Sequence, residues 1–220
     1  MSERELIYIG DPMCSWCFGF APVMQALYEK YRSSIPMRIV VGGLRTGPEQ
    51  IVDAERIAFL RSHWQQVTAR TGQRFNADIL NSTGWLYDTE LACRAVVVMR
   101  KLQPEVVFPY FEALQTNFYV DNQDPEPVAT YARVAAQFGA DETAFIAVYE
   151  DPATIQETSD DFSWAASIGV QGFPSILLRD GEQYAALTLG YQTLEPLASA
   201  LVSWLDQTGS ESKGSEQPSG

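Results

Sequence analysis

Apolar residues fall into three blocks with different spacing. Near the N-terminus Leu6-Ile7-Tyr8-Ile9 is a short apolar run that predicts a buried strand. Phe20, Val23, Met24, Leu27 and Tyr31 then recur near helical spacing, the signature of an amphipathic helix. Pro36-Met37-Arg38-Ile39-Val40-Val41 predicts a second strand, stopped by Gly42-Gly43. A strand, a helix and a strand in succession imply a parallel pair joined by a right-handed crossover.

From about Pro48 to Asp161 the period is helical, with breaks at Gly72, Gly84, Pro104 and Gly139. One helix is expected from Glu49 through His63 to Thr71, with Ile51, Ile57, Leu60, Trp64 and Val67 along its apolar stripe. Others are expected over Thr89 to Leu102, Glu105 to Phe118 and Val128 to Phe138, with Pro127 at the first helical position of the last. Asp141 is placed as N-cap of a helix over Glu142 to Tyr149, and a further helix is expected over Thr158 to Ile168. None of these helices buries its stripe alone, so they are expected to pack together and over the sheet near the first block.

Strand character returns in the last block. Ser175-Ile176-Leu177-Leu178 and Tyr184 to Leu189 flank Asp180-Gly181, a hairpin signal. Leu194, Leu197, Ala198, Leu201, Val202 and Leu205 form a terminal amphipathic helix. Residues 208–220 contain no apolar residue and are expected to be a disordered tail. The predicted fold class is α/β, with a discontinuous sheet domain (1–45 and 158–207) and an all-helical insertion (46–157).

Composition agrees with a globular chain: 220 residues, 46% hydrophobic and 20% charged. The net charge of −13 argues against nucleic acid or an anionic membrane as partner, since both select basic patches. The polar start, Met1-Ser2-Glu3-Arg4-Glu5, lacks the basic-then-apolar pattern of a secretory signal, and no run is long enough to span a bilayer. The expected location is cytoplasmic, where a cysteine pair rests as dithiol or cycles.

Two of the three cysteines, Cys14 and Cys17, stand between the first strand and the first helix, in Asp11-Pro12-Met13-Cys14-Ser15-Trp16-Cys17. Free N–H groups and the macrodipole at a helix start favour thiolate over thiol. Cys14, the outer residue, is the predicted nucleophile and Cys17 the resolving thiol. Ser15 and Trp16 set the hydrogen bonding and shielding of the thiolate, and a nearby Asp11 would oppose it. Two alternatives stand beside this reading. A zinc site needs two further ligands, and the chain offers only Cys93, His63 and carboxylates without a second C-x-x-C. A purely structural disulfide fits poorly with the helix start and the expected reducing compartment.

A second motif, Val170-x-Gly172-Phe173-Pro174-Ser175, precedes the third strand. Together with Cys14-x-x-Cys17 upstream it resembles the thioredoxin superfamily, and the helical insertion narrows the resemblance to the DsbA-like branch. Asp11 to Cys17, His63-Trp64, Asp88-Thr89-x-x-Ala92-Cys93-Arg94-Ala95 and Gly169 to Pro174 make the chain similar to cytosolic protein-disulfide isomerases grouped with FrnE and the hydroxychromene-carboxylate isomerases. The resemblance implies a thioredoxin-like fold and a cis Pro174 facing the cysteines. It also implies a Phe173 backbone open to an extended peptide. Three departures matter. Ser15-Trp16 replaces the Pro-His of strongly oxidising DsbA enzymes, which predicts a more reducing couple. The second C-x-x-C of the FrnE pattern is absent. Cys14 stands where the isomerases and kappa-class glutathione transferases usually carry serine, which favours disulfide exchange.

The remaining candidates each have two readings. Cys93 is a buried core residue, or a third thiol near the site. Arg94 anchors a substrate or glutathione carboxylate, or pairs with Glu90 one turn away. His63 with Trp64 lines the substrate groove, or is a surface histidine. Trp16, Phe18, Phe20 and Phe173 form an apolar rim, with Phe18 and Phe20 alternatively in the core; Trp85-Leu86-Tyr87 joins that rim or the insertion core. Asp160-Asp161 is helix N-terminal charge or a solvated face. The leading reading is a thiol–disulfide oxidoreductase (a protein-disulfide reductase or isomerase) with no tightly bound cofactor. Its partners would be disulfide-containing proteins or peptides, with glutathione as reductant or co-substrate. The rivals are a glutathione-dependent small-molecule isomerase or transferase at the same site, and a non-enzymatic holdase.

Overall fold

The computed structural model describes residues 4–207. Strand β1 (Arg4–Gly10) pairs in parallel with β2 (Met37–Val41) and antiparallel with β3 (Ser175–Asp180), which pairs antiparallel with β4 (Gln183–Leu189), in the order β2-β1-β3-β4. The helices are α1 (Ser15–Tyr31), α2 (Ala54–Thr71), α3 (Thr89–Leu102), α4 (Val107–Tyr119), α5 (Val128–Ala136), α6 (Glu142–Glu150), α7 (Pro152–Ser167) and α8 (Leu194–Asp206).

Central strand β1 is buried on both faces, which explains its unbroken apolar run. Leu6 and Tyr8 point into the large core, which also takes side chains from α1 to α6 and α8. Ile7 and Ile9 point the other way, against Ala165 of α7 and Val170. The sheet and the inserted helices therefore share one core.

Edge strand β2 has its backbone groups closed by side chains. Asp161 accepts the Val41 N–H at 3.0 Å, and Arg100 donates to Ile39 O at 3.0 Å and to Asp161 at 2.7 Å. Unpaired groups on an edge would otherwise be a template for another chain. Asp161 is thus neither helix-terminal charge nor a solvated carboxylate. Asp160 is exposed and accepts from Gln156.

Several boundaries differ from the sequence expectation. The helix expected from Glu49 begins at Ala54, because Asp53 caps it by accepting the Arg56 N–H at 2.7 Å. Ile51, assigned to its stripe, instead bridges to Leu86 and is 53% exposed. Pro104–Val106 is a 3₁₀ turn before α4, and Pro127 is the N-cap of α5, one place before the expected position. Helix α7 starts at Pro152, not Thr158: Asp151 caps it and Pro152 fills the first turn, where a missing N–H costs nothing. The expected division at 157/158 therefore falls inside a helix. Of the α8 stripe only Leu197 and Leu201 are buried. The tail expected over 208–220 lies outside the described residues.

Helix α1 runs through Pro22, which has no N–H for the Phe18 carbonyl. Gln73, just after α2, donates its Nε2 to that carbonyl at 3.0 Å. Gly19 lets the two helices close up, since a Cβ there would lie 2.8 Å from Val67 and Thr71 atoms.

Candidate active site

Strand β1 ends at Gly10, and a short turn delivers Cys14 to the N-cap of α1 with extended backbone angles, φ −86° and ψ 118°. Cys17 is in the first turn. Both are free thiols; Cys14 is 4% exposed and Cys17 fully buried. Cys14 is thus the outer of the two. The loop before β3 supplies the opposite wall. Its Phe173–Pro174 bond is cis, and the Cys14 thiol lies 3.7 Å from the Phe173 carbonyl oxygen, within hydrogen-bonding reach for sulfur. The two sequence motifs, far apart in the chain, thus meet at one point. The Phe173 ring lies over Gly42, where a Cβ would come within 2.1 Å of it.

The turn bearing Cys14 is pinned at Met13. The Met13 N–H donates to Asp11 Oδ1 at 2.8 Å, and Asp11 Oδ2 accepts the Leu44 N–H at 2.7 Å, tying the turn to the segment after β2. The Met13 carbonyl accepts two phenols, Tyr87 at 2.8 Å and Tyr119 at 2.5 Å. Asp11 is fully buried, and burial raises its carboxyl pKa against the pull of Thr89, Leu44, Met13 and Cys93. It serves as the hub of the turn, its carboxylate committed to backbone donors.

The environment separates the two thiols. Burial, and then the neighbouring Cys14, push the Cys17 thiol well up, so it rests protonated. The Tyr8 hydroxyl works in the other direction on Cys17, and its own pKa is raised by burial and by Cys17. A dithiol arranged this way can present the outer sulfur for attack while the second is held back.

Around the cysteines lie residues of both expected kinds. Trp16, half-buried, meets His63 edge-on at 6.1 Å and Tyr191 at 6.0 Å; Phe59 stacks on His63 at 5.4 Å. His63 is thus brought beside the motif. Burial, then Arg45, lower its pKa. Ser15 is buried in the first turn of α1. Phe18 and Phe20 belong to the core, not the rim, and so does Tyr87; Trp85 is half-buried against Tyr87. Arg94 is held by Glu90 in a bidentate pair at 2.8 and 2.5 Å and stacks over Tyr149, the arrangement of the helix-pair reading. Cys93 is fully buried behind Asp11, and burial and that carboxylate raise its thiol pKa. No group of three or more potential metal ligands is assembled among the described residues.

Sequence reasoning missed the roles of Tyr8, Tyr119 and Gly42, and placed Tyr87 only as a residue of the rim or the insertion core. Tyr8 sits at an inward strand position where any large apolar residue would fit the pattern. The clamp tyrosines come from 74 and 106 residues away, and no local signal marks them.

Among curated proteins no sequence matches the chain significantly. Solved structures do. A candidate protein disulfide isomerase from Nitrosomonas europaea shares 36% identity over 93% of this chain and 98% of its own, with a TM-score of 0.86. The cytosolic disulfide reductase DsbM from Pseudomonas aeruginosa shares 23% identity over 92% of this chain and 99% of its own, with a TM-score of 0.78, and its GSH form is also similar in fold (24% identity over 91% and 98%, TM-score 0.76). A 2-hydroxychromene-2-carboxylate isomerase has the same fold at 15% identity over 93% and 98%, with a TM-score of 0.62. The model of the DSBA-like thioredoxin domain matches residues 7–202. The fold is the DsbA-like thioredoxin architecture with its helical insertion, and the chain belongs to the DSBA-like thioredoxin domain family of oxidoreductases and isomerases.

Proposed function

We propose that this protein is a cytosolic thiol–disulfide oxidoreductase that reduces or isomerises disulfides through Cys14 and Cys17. One observation carries the reading: Cys14 caps α1 with its sulfur beside the Phe173 carbonyl of the cis-proline loop, and Cys17 is buried one turn behind it. The Cys14 thiolate attacks a substrate S–S bond, forming a mixed disulfide and releasing one substrate thiolate. Cys17 then loses its proton, its sulfur attacks Cys14 Sγ, and the second substrate thiolate leaves. The substrate gains two electrons and the protein holds a Cys14–Cys17 disulfide. In isomerisation the released substrate thiolate instead attacks a second substrate S–S bond, the thiolate displaced there attacks the substrate sulfur of the mixed disulfide, and Cys14 leaves as thiolate with no net change in oxidation.

Glutathione suits the site as recycling thiol. Arg70 lies over Tyr191, which adjoins Trp16, and Arg45 acts on His63, so the rim carries two guanidinium groups suited to carboxylates. The GSH form of the DsbM neighbour and the cytosolic location in that protein's name point the same way. A glutathione-dependent isomerase or transferase would use the same rim without needing Cys17.

Trapping tests the proposal. With a disulfide peptide, Cys17→Ser should accumulate a mixed disulfide at Cys14, whereas Cys14→Ser should form none and lose reductase turnover. Full turnover by Cys14→Ser would overturn it. Undiminished glutathione-dependent turnover of a small molecule by Cys17→Ser, without exchange, would carry the transferase reading instead.

A further inference from the structure

A cavity of about 240 Å³ opens between α1 and α4, and neither cysteine nor the Phe173–Pro174 loop lines it. Its inner wall is made by Tyr8, Met24, Phe108, Phe111 and Gln115, all buried. Its mouth carries Glu29 and Arg32, both exposed, and the half-buried Glu112.

Gln115 sets this cavity apart from a packing gap. The residue is 1% exposed, and its Nε2 is fully buried with no hydrogen-bond partner among the described residues. Buried donors are almost always paired, because an unpaired one forfeits its hydration and gains nothing. A leucine or methionine would fill the same place without that cost. The donor therefore calls for an acceptor from outside the chain. Met24, Phe108 and Phe111 line the cavity with Gln115 and give it an apolar wall suited to an aromatic ring. Charge at the mouth selects further. Two carboxylates, Glu29 and Glu112, face one guanidinium, Arg32, which is drawn over the Tyr28 ring at 5.5 Å. The two carboxylates interact: burial and Glu29 raise the Glu112 pKa. An anion would meet net repulsion there and lose hydration inside.

We propose that this cavity binds a small neutral or cationic aromatic carbonyl compound. Its ring lies between Met24 and the two phenylalanines, and its carbonyl oxygen accepts the Gln115 Nε2–H.

The test uses the full chain with ¹³C-methyl methionine, titrated separately with acetophenone, ethylbenzene and benzoate. The Met24 methyl is the reporter, and Met37 and Met99 are internal controls. Acetophenone should shift Met24 saturably and bind at least about threefold more tightly than ethylbenzene, which keeps the ring and lacks the acceptor. Benzoate should bind more weakly than acetophenone. In Gln115→Met the ketone should lose its advantage over the hydrocarbon. Equal binding of ketone and hydrocarbon by the wild-type protein, a preference for benzoate, or an unmoved Met24 with all three probes overturns the proposal. A preference for a donor such as benzyl alcohol over acetophenone does so too. The probe comparison uses the wild-type chain alone, so it decides the question even where Gln115→Met fails to fold.

Discussion

The Cys14 sulfur faces the main-chain oxygen of Phe173 at 3.7 Å. Any sulfur that joins Cys14 in a mixed disulfide therefore arrives beside the backbone of the loop before β3. The cysteine is fixed by α1 and the turn at Met13, and the carbonyl by the loop, whose Pro174 oxygen accepts the Gly190 N–H at 2.8 Å. The distance between them is thus set by the fold rather than by side-chain choice, and what disturbs either support should disturb exchange.

Gly42 supports the Phe173 side. A Cβ there would lie 2.1 Å from the ring, so Gly42→Ala must displace Phe173. We expect a loss of about 1–3 kcal/mol in stability from overpacking. Reductase kcat/KM should fall about tenfold, equivalent to about 1.4 kcal/mol in the barrier. Denaturant unfolding and steady-state kinetics on the same sample check both; wild-type kinetics would show that the ring does not position the loop.

On the other side, the Met13 carbonyl accepts from both Tyr87 and Tyr119. Tyr87→Phe or Tyr119→Phe alone leaves one donor in place and should cost about 1 kcal/mol, while the double variant leaves a buried carbonyl unpaired and should cost about 1–3 kcal/mol beyond the sum. A double-mutant cycle by urea unfolding measures this coupling. Strict additivity would mean that the carbonyl finds another partner.

Arg100 and Asp161 close the backbone of β2, whose last residue stands one position before Gly42. Arg100→Met leaves Asp161 with its charge and only the Val41 N–H. The side chains are 19% and 13% exposed, so the expected loss is about 2 kcal/mol, below the roughly 3–5 kcal/mol of a fully buried pair. Thermal unfolding at low and high salt reads it, and a loss that vanished with salt would place the pair in solvent.

His63 predicts a pH effect. Burial, then Arg45, hold its pKa below 6.5, so the folded protein prefers the neutral ring. As pH falls the unfolded chain takes the proton first. This contribution to stability is fully present above about 6.5, the unfolded value, and is lost as pH drops through the lowered folded value. Unfolding free energies about one unit either side of 6.5 should fall more in wild type than in His63→Gln. Equal falls would mean that the ring titrates as in water.

Local chemistry was legible in the sequence. Cys14 at a helix start follows from one apolar run meeting one helical stripe, and the Gly172-Phe173-Pro174 motif needed only its position before a strand. Helix α7 starts earlier than the apolar spacing after Thr158 implies, because Asp151 caps it and Pro152 opens its first turn. What stayed hidden depends on distant contacts. Asp11 read as a charge near Cys14, but its oxygens are engaged by the Met13 and Leu44 amides. Ile51 looked helical because its spacing was right, and a capping Asp53 two residues later ended that possibility. For Phe18 and Phe20 the sequence leaves rim and core both open, and the helix turns them into the core.

The most direct test of the central claim is the equilibrium of the Cys14–Cys17 pair in glutathione redox buffers, with peptide mapping to assign the bond. One two-electron transition to a Cys14–Cys17 disulfide is expected, with Cys93 still a free thiol. Ser15-Trp16 in place of Pro-His predicts a potential well below the roughly −120 mV of DsbA, toward the roughly −270 mV of thioredoxin. Failure to form that disulfide at any glutathione ratio would contradict the account.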